Sequence, residues 1–260
     1  MRALLVVLLV LASSPGFAAT EAFDRANNLA YLDGFQEGDD GGTGWDAGWV
    51  FLGLGDTGLD LATSTNNGDG DTDGDGDIDT ANVAWEIFAS SGGVARVSRH
   101  FVGNLLVGQV FSVELDAVPH ADPYIAGVEL IDGLSSCAEF RWNGDDTEFL
   151  VVDADGFFVF PLAVTDEGIH VEYELTGASS YTLRANALGG PVVEREGVRD
   201  PACFPNGVFF FVESDSGATR RLFFNQISVP EPAPTAASYA AAFVPLAALR
   251  RRGARRTARS

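Results

Sequence analysis

The chain has 260 residues, a formal net charge of −21 and two cysteines, and all sixteen of its basic residues are arginine. Acidity of this degree repels nucleic acid and other polyanions unless divalent cations intervene, so no nucleic-acid partner is expected. A phosphate-binding loop built on lysine is excluded outright.

At the N-terminus, Arg2 precedes the apolar run Ala3–Ala12, and small residues follow through Ala19. That order reads as a secretory signal peptide over residues 1–19, cleaved after Ala18 or Ala19. Residues 20–229 form the body, the size of one large domain able to bury a substantial core. It holds nine arginines against thirty-six acidic residues.

Short alternating runs separated by Gly, Asp, Asn and Pro fill the body, with no amphipathic helix of convincing length. Strands are expected first near Leu29–Leu32, Trp49–Leu52, Ala84–Phe88 and Val94–Val102. Phe111, Val113, Leu115 and Ala117 then alternate with Ser112, Glu114 and Asp116, the pattern of a half-buried strand. Tyr124–Ile131, Ala138–Trp142, Glu148–Val152 and Phe157–Phe160 follow. Ile169, Val171, Tyr173 and Leu175 alternate just as cleanly with His170, Glu172 and Glu174. Tyr181–Ala185, Val208–Val212 and Leu222–Val229 complete the set. Asn143-Gly144, Asp155-Gly156, Gly189-Gly190-Pro191 and Asn206-Gly207 supply turns between them. Thirteen strands at this spacing predict an all-β, antiparallel β-sandwich, with a jelly roll favoured over an immunoglobulin-type domain.

The segment 66–82 reads NNGDGDTDGDGDIDTAN, with an aspartate at every second position from Asp69 to Asp79. Oxygen ligands two apart, with glycine permitting tight turns, suit one hard cation. Counted from Asp71, the frame places Asp71, Asp73 and Asp75 at positions 1, 3 and 5 of a calcium loop. Gly76 falls at 6, Asp77 at 7 (through its carbonyl), Ile78 at the hydrophobic position 8 and Asp79 at 9. Asn82 stands at position 12, where an EF-hand has a bidentate glutamate. The expected cofactor is Ca²⁺, held weakly; the competing reading is a solvated acidic linker.

Other constellations are thinner. Cys137 and Cys203 make an even count in an exported chain, which suggests a disulfide; two buried thiols are the alternative. Glu114 with Asp116, and Glu172 with Glu174, each share a strand face, and a glycoside hydrolase needs two carboxylates flanking the scissile bond. Outward positions of a half-buried strand are polar in any case. His100, His120 and His170 lack metal-ligand spacing. Trp45, Trp49, Trp85 and Trp142 are candidates either for stacking on sugar rings or for core packing.

The tail begins Val229-Pro230-Glu231-Pro232. A fourteen-residue, mostly apolar run follows, Ala236–Leu249, and then six arginines between Arg250 and Arg259. Spanning a bilayer as a helix takes roughly 20 apolar residues, and Pro245 interrupts this run. Arginines beside it stay on the cytoplasmic side. The expectation is transient membrane insertion rather than a permanent anchor.

The three-part order of residues 230–260 resembles the PEP-CTERM sorting signal. That resemblance implies recognition of Pro230, Glu231 and Pro232 by an exosortase-type processing enzyme. It further implies transient inner-membrane retention and delivery to the cell surface or matrix of a Gram-negative bacterium that makes exopolysaccharide. Tyr31–Trp49, Asp77–Gly92, Val107–Ser112 and Phe224-Asn225 together resemble exported bacterial proteins with the same tail and a concanavalin A-like lectin/glucanase sandwich. The function this implies is structural or carbohydrate-binding, without catalysis; a glycoside hydrolase on the same fold is the alternative.

Overall fold

The computed structural model describes residues 21–63, 78, 83–116, 124–144, 146–164, 168–215 and 217–230. Asp71, Asp73, Asp75, Asp77, Asp79, His120, Glu231, Pro232 and, apart from Pro230, both terminal signals lie outside the described residues.

The body is an antiparallel β-sandwich. Its strands are β1 (Ala22–Asp24), β2 (Val50–Thr63), β3 (Val83–His100), β4 (Val110–Asp116), β5 (Tyr124–Asp132), β6 (Ser135–Asn143) and β7 (Glu148–Asp153). They continue as β8 (Gly156–Ala163), β9 (Ile169–Leu175), β10 (Ser180–Ala187), β11 (Val193–Val198), β12 (Gly207–Ser214) and β13 (Arg220–Val229). One sheet runs β11-β10-β9-β4-β13-β3 and the other β3-β12-β5-β6-β7-β8. β3 belongs to both: its first half pairs with β13 and its second half with β12. β2 follows β3 along both halves, and β1 adds to the end of β13.

A bend in β3 makes this sharing possible. Ser91 and Gly92 adopt positive φ (52° and 78°), and opposite them Gly55 of β2 does the same at 79°. The two strands therefore fold together from one sheet into the other, as bulged strands do at the corners of closed sheets. Sequence patterning splits β3 into two strands because Ser90-Ser91-Gly92-Gly93 looks like a turn; it is a bend within one strand. The Leu29–Leu32 expectation also fails: Leu29–Tyr31 is a 3-10 turn, started by the Asn28 side chain accepting from the Ala30 N–H at 3.2 Å.

Folding the sheet over brings Phe210 of β12 against Phe224 of β13, their rings stacked with centroids 4.0 Å apart. Trp49 and Trp85 pack around that pair. All four tryptophans are at most 8% exposed, so they are core residues and none is a platform for sugar. Arg99 is fully buried, paired to Asp24 and Asp40 and lying over the Trp45 and Trp49 rings. A buried guanidinium requires this company, because an unpaired charge there is very costly. Its partners lie within the Gly- and Asp-rich stretch Asp39–Trp49 and on β1, so the network ties the N-terminal segment to the sandwich. Cys137 and Cys203 are joined in a disulfide with Cα atoms 5.7 Å apart.

Candidate functional site

The outer face of the β11-to-β3 sheet carries a connected set of half-exposed polar side chains with defined partners. Alternation turns Phe111, Val113 and Leu115 of β4 into the core, so Ser112 and Glu114 face outward. β9 does the same with His170, Glu172 and Glu174. Register sets Glu114 opposite His170, and His170 opposite Asn186 of β10. Glu172 lies between Ser112 and Arg184. Directly opposed residues share a face with Cβ atoms about 4.5–5.5 Å apart.

A bulge in β13 completes the group. The pairing of β13 with β4 shifts between Asn225 and Ser228, and Gln226 takes a left-handed φ of 50°. That re-aims the Gln226 amide, which donates to Glu114 Oε2 at 2.7 Å. A left-handed φ at a residue other than glycine costs on the order of 1–2 kcal/mol, and such outliers concentrate at functional sites. Asn225 holds the bulge. Its Oδ1 accepts from Ala26 and Gln226 N–H groups, and its amide donates to the carbonyls of Ile78 and Val83, all at 2.9 Å.

The remaining contacts join ionisable groups. His170 Nε2 lies 3.2 Å from Glu172, and Arg184 bridges Glu174 at 2.8 Å and Glu194 at 2.6 Å. Burial raises Glu114 above the usual carboxylate range, against the pull of His170 and the Gln226 hydrogen bond. Glu86 of β3, on the same face, is pushed up to about 7 by burial, with Arg221 opposing and Asp60 reinforcing the shift. With Glu86 closed off at 2% exposure, the half-exposed part of the face, from β13 to β10, thus offers the raised carboxyl of Glu114 with carboxylates, an amide and a guanidinium. It can donate to and accept from a hydroxyl-rich ligand, and a raised carboxyl is suited to proton transfer.

Several sequence candidates meet here and others do not. Glu114, His170, Glu172 and Glu174 are neighbours; Asp116 is buried at 4% exposure. His100 is elsewhere, beside Asn206 at the end of the sandwich. Ile78, the hydrophobic position of the calcium frame, is buried on this same outer face with Ala62, Ala84 and Phe223. Gln226, Asn186 and Glu86 were not singled out from sequence, because cross-strand pairing over long separations brings them in. The positive-φ position 226, inside an otherwise regular strand, has no local signal of glycine or proline.

No protein-family model matches the chain, and no curated protein matches it. Among solved structures it is similar to an apo Crh5 transglycosylase, with a TM-score of 0.50 at 13% identity, covering 84% of this chain and 87% of that one. It is also similar to the carbohydrate esterase vb_24B_21 from Shiga toxin-encoding bacteriophage phi24B, with a TM-score of 0.48 at 14% identity over 72% of this chain and 91% of that one. A likeness to a sialidase, TM-score 0.45 at 13% identity, takes in 58% of this chain but spans only 15% of the sialidase's length. At such identities the likeness establishes the sandwich fold and nothing about its chemistry.

Proposed function

We propose that the protein is an exported envelope or matrix component that binds polysaccharide on the outer face of the β11-to-β3 sheet without cleaving it. The observation that carries this is the strained Gln226 bulge aiming an amide at Glu114, beside His170 and Asn186. Donors and acceptors on the half-exposed strands β4, β9 and β10 suit the hydroxyl groups of a glycan chain, and the fold is shared with a transglycosylase. The disulfide fits an oxidising compartment.

In this reading the tail from Pro230 is a PEP-CTERM signal, removed by an exosortase-type enzyme after transient membrane insertion. The aspartates between Asp71 and Asp79 take up Ca²⁺, which also relieves the repulsion of so many adjacent carboxylates. The second reading is a glycoside hydrolase, favoured by the half-exposed Glu114, whose carboxyl is raised by burial and which lies across from the β9 carboxylate row. Affinity electrophoresis of the full chain in gels containing bacterial exopolysaccharides tests the binding face. His170→Ala and Gln226→Ala should each weaken retardation about tenfold, the loss expected for one hydrogen bond of about 1.4 kcal/mol. Retardation unchanged in both variants would remove this face as the binding surface.

A further inference from the structure

A recess lies at the end of the sandwich, where β3 finishes and β12 begins. It has a volume of about 230 Å³ and is lined by Asp46, His100, Phe101, Val102, Asn104 and Asn206. Its walls are fixed by backbone hydrogen bonds. Asp46 N–H donates to His100 C=O at 2.9 Å, and Val102 N–H to Gly44 C=O at 3.0 Å. Phe101 N–H donates to Asn206 C=O at 2.8 Å, and Leu105 N–H to Pro205 C=O at 2.7 Å. The segment carrying Asn206 is held from behind as well. The disulfide fixes Cys203, three residues earlier. Phe204 N–H donates to Asp132 at 3.0 Å. This frame is pre-organised, so little ordering is left to oppose a ligand.

The side chains set a definite polarity. Asn206 donates its amide to Asp132 Oδ1 at 3.3 Å, and its Oδ1 accepts from the Gly133 N–H at 3.0 Å. His100 Nδ1 faces that same Oδ1 at 3.3 Å, so Nδ1 carries the proton. In the neutral ring Nε2 is then a lone-pair acceptor. The exposed carboxylate of Asp46 is an acceptor too. Val102, 58% exposed, supplies an apolar wall beside them. Acceptors set against an apolar patch match the hydroxyls and C–H face of a pyranose. The volume equals roughly eight waters at about 30 Å³ each, below the roughly 300–1,000 Å³ of larger ligand pockets, so a single ring fills it. The negative Asp46 favours a neutral sugar over a uronate.

We propose that this recess is a second glycan site, taking a single neutral sugar residue such as a chain end. It rests on the carbohydrate reading above and adds a surface distinct from the sheet face. One molecule would then hold a chain along its sheet and a chain end at its tip, which cross-links polysaccharide by multivalency.

Saturation-transfer NMR on the full chain, with a panel of neutral methyl hexopyranosides and methyl glucuronide at millimolar concentration, tests it. The expected result is transfer to at least one neutral hexoside and none to the glucuronide. That transfer should fall at least tenfold in the Asp46→Ala/His100→Ala double variant and in Asp46→Asn alone. It should persist in Asp155→Ala, which removes the same charge at the remote β7–β8 turn. Circular dichroism of each variant separates loss of the site from loss of the fold. Equal transfer in wild type and double variant overturns the proposal, as does displacement of the sugar by EDTA alone, which would assign the binding to a metal. Polysaccharide retardation without transfer to any hexoside overturns the recess and leaves the sheet-face reading standing. Absence of both removes the carbohydrate reading itself.

Discussion

Glu86 is the side chain whose environment departs furthest from its chemistry among the carboxylates of the sheet face. Its side chain is 2% exposed, and its one strong partner, Arg221, is itself 40% exposed. Burial pushes its carboxyl from 4.5 in the unfolded chain to about 7 in the folded one. The folded state therefore binds this proton more tightly between those two values. The stability it contributes is fully present below pH 4.5 and is lost as pH rises towards 7. The size is on the order of 3 kcal/mol, at about 1.4 kcal/mol per pH unit. In urea unfolding from pH 4 to 8, wild type should lose that much more stability with rising pH than Glu86→Gln. Parallel pH profiles for the two proteins would mean that Arg221 fully compensates the buried charge.

At the scale of elements, the bent pair β2 and β3 decides how the sandwich closes, and its glycines are not equivalent. Gly92 has a positive φ of 78°, and a Cβ there would meet only the Ser214 carbonyl oxygen at an ordinary 4.0 Å, so alanine carries just the backbone penalty of about 1–2 kcal/mol. A Cβ on Gly93 would meet three backbone carbonyl oxygens, of Ser90, Asp56 and Leu54, at 2.8–3.1 Å. Backbone oxygens cannot move aside as a side-chain tip can. Gly93→Ala should therefore be the more destabilising, by at least about 1 kcal/mol in chemical denaturation. Equal losses would show that the bend relaxes freely.

The same bend shows what the sequence could and could not reveal. Strands with strict alternation, such as β4 and β9, are legible because period two and one-sided burial are local properties. The strand total of thirteen agrees with expectation only because errors cancel. Leu29–Leu32 is not a strand and β3 is one strand rather than two, while β1 and β11 were not anticipated. β1 is three residues long, and β11 alternates Glu194, Arg195 and Glu196, a charged pattern that resembles a loop yet suits an exposed sheet edge. The site was half legible. Glu114, Glu172 and Glu174 stood out as shared strand faces. Their meeting with His170 and Gln226 depends on register between strands far apart in sequence, which no local pattern encodes.

For the whole molecule, the disulfide closes a loop of 66 residues between β6 and the segment before β12. Constraining the unfolded chain over that length contributes about 4 kcal/mol in the chain-entropy model. For a chain of this size that corresponds to a midpoint shift of roughly 8–16 °C. The Cys137→Ala/Cys203→Ala variant should melt lower by that amount, and an unchanged midpoint would mean the bridge adds nothing to folding. The measurement that bears most directly on the central claim is binding and turnover on one and the same polysaccharide. Exported protein, with its tail status read from intact mass, is incubated for a day with each exopolysaccharide that retards it, while reducing ends and polymer size are followed. The account predicts retention of the polysaccharide with no new reducing ends and no fall in polymer size. New reducing ends that vanish in Glu114→Gln would contradict it and make the protein a glycoside hydrolase.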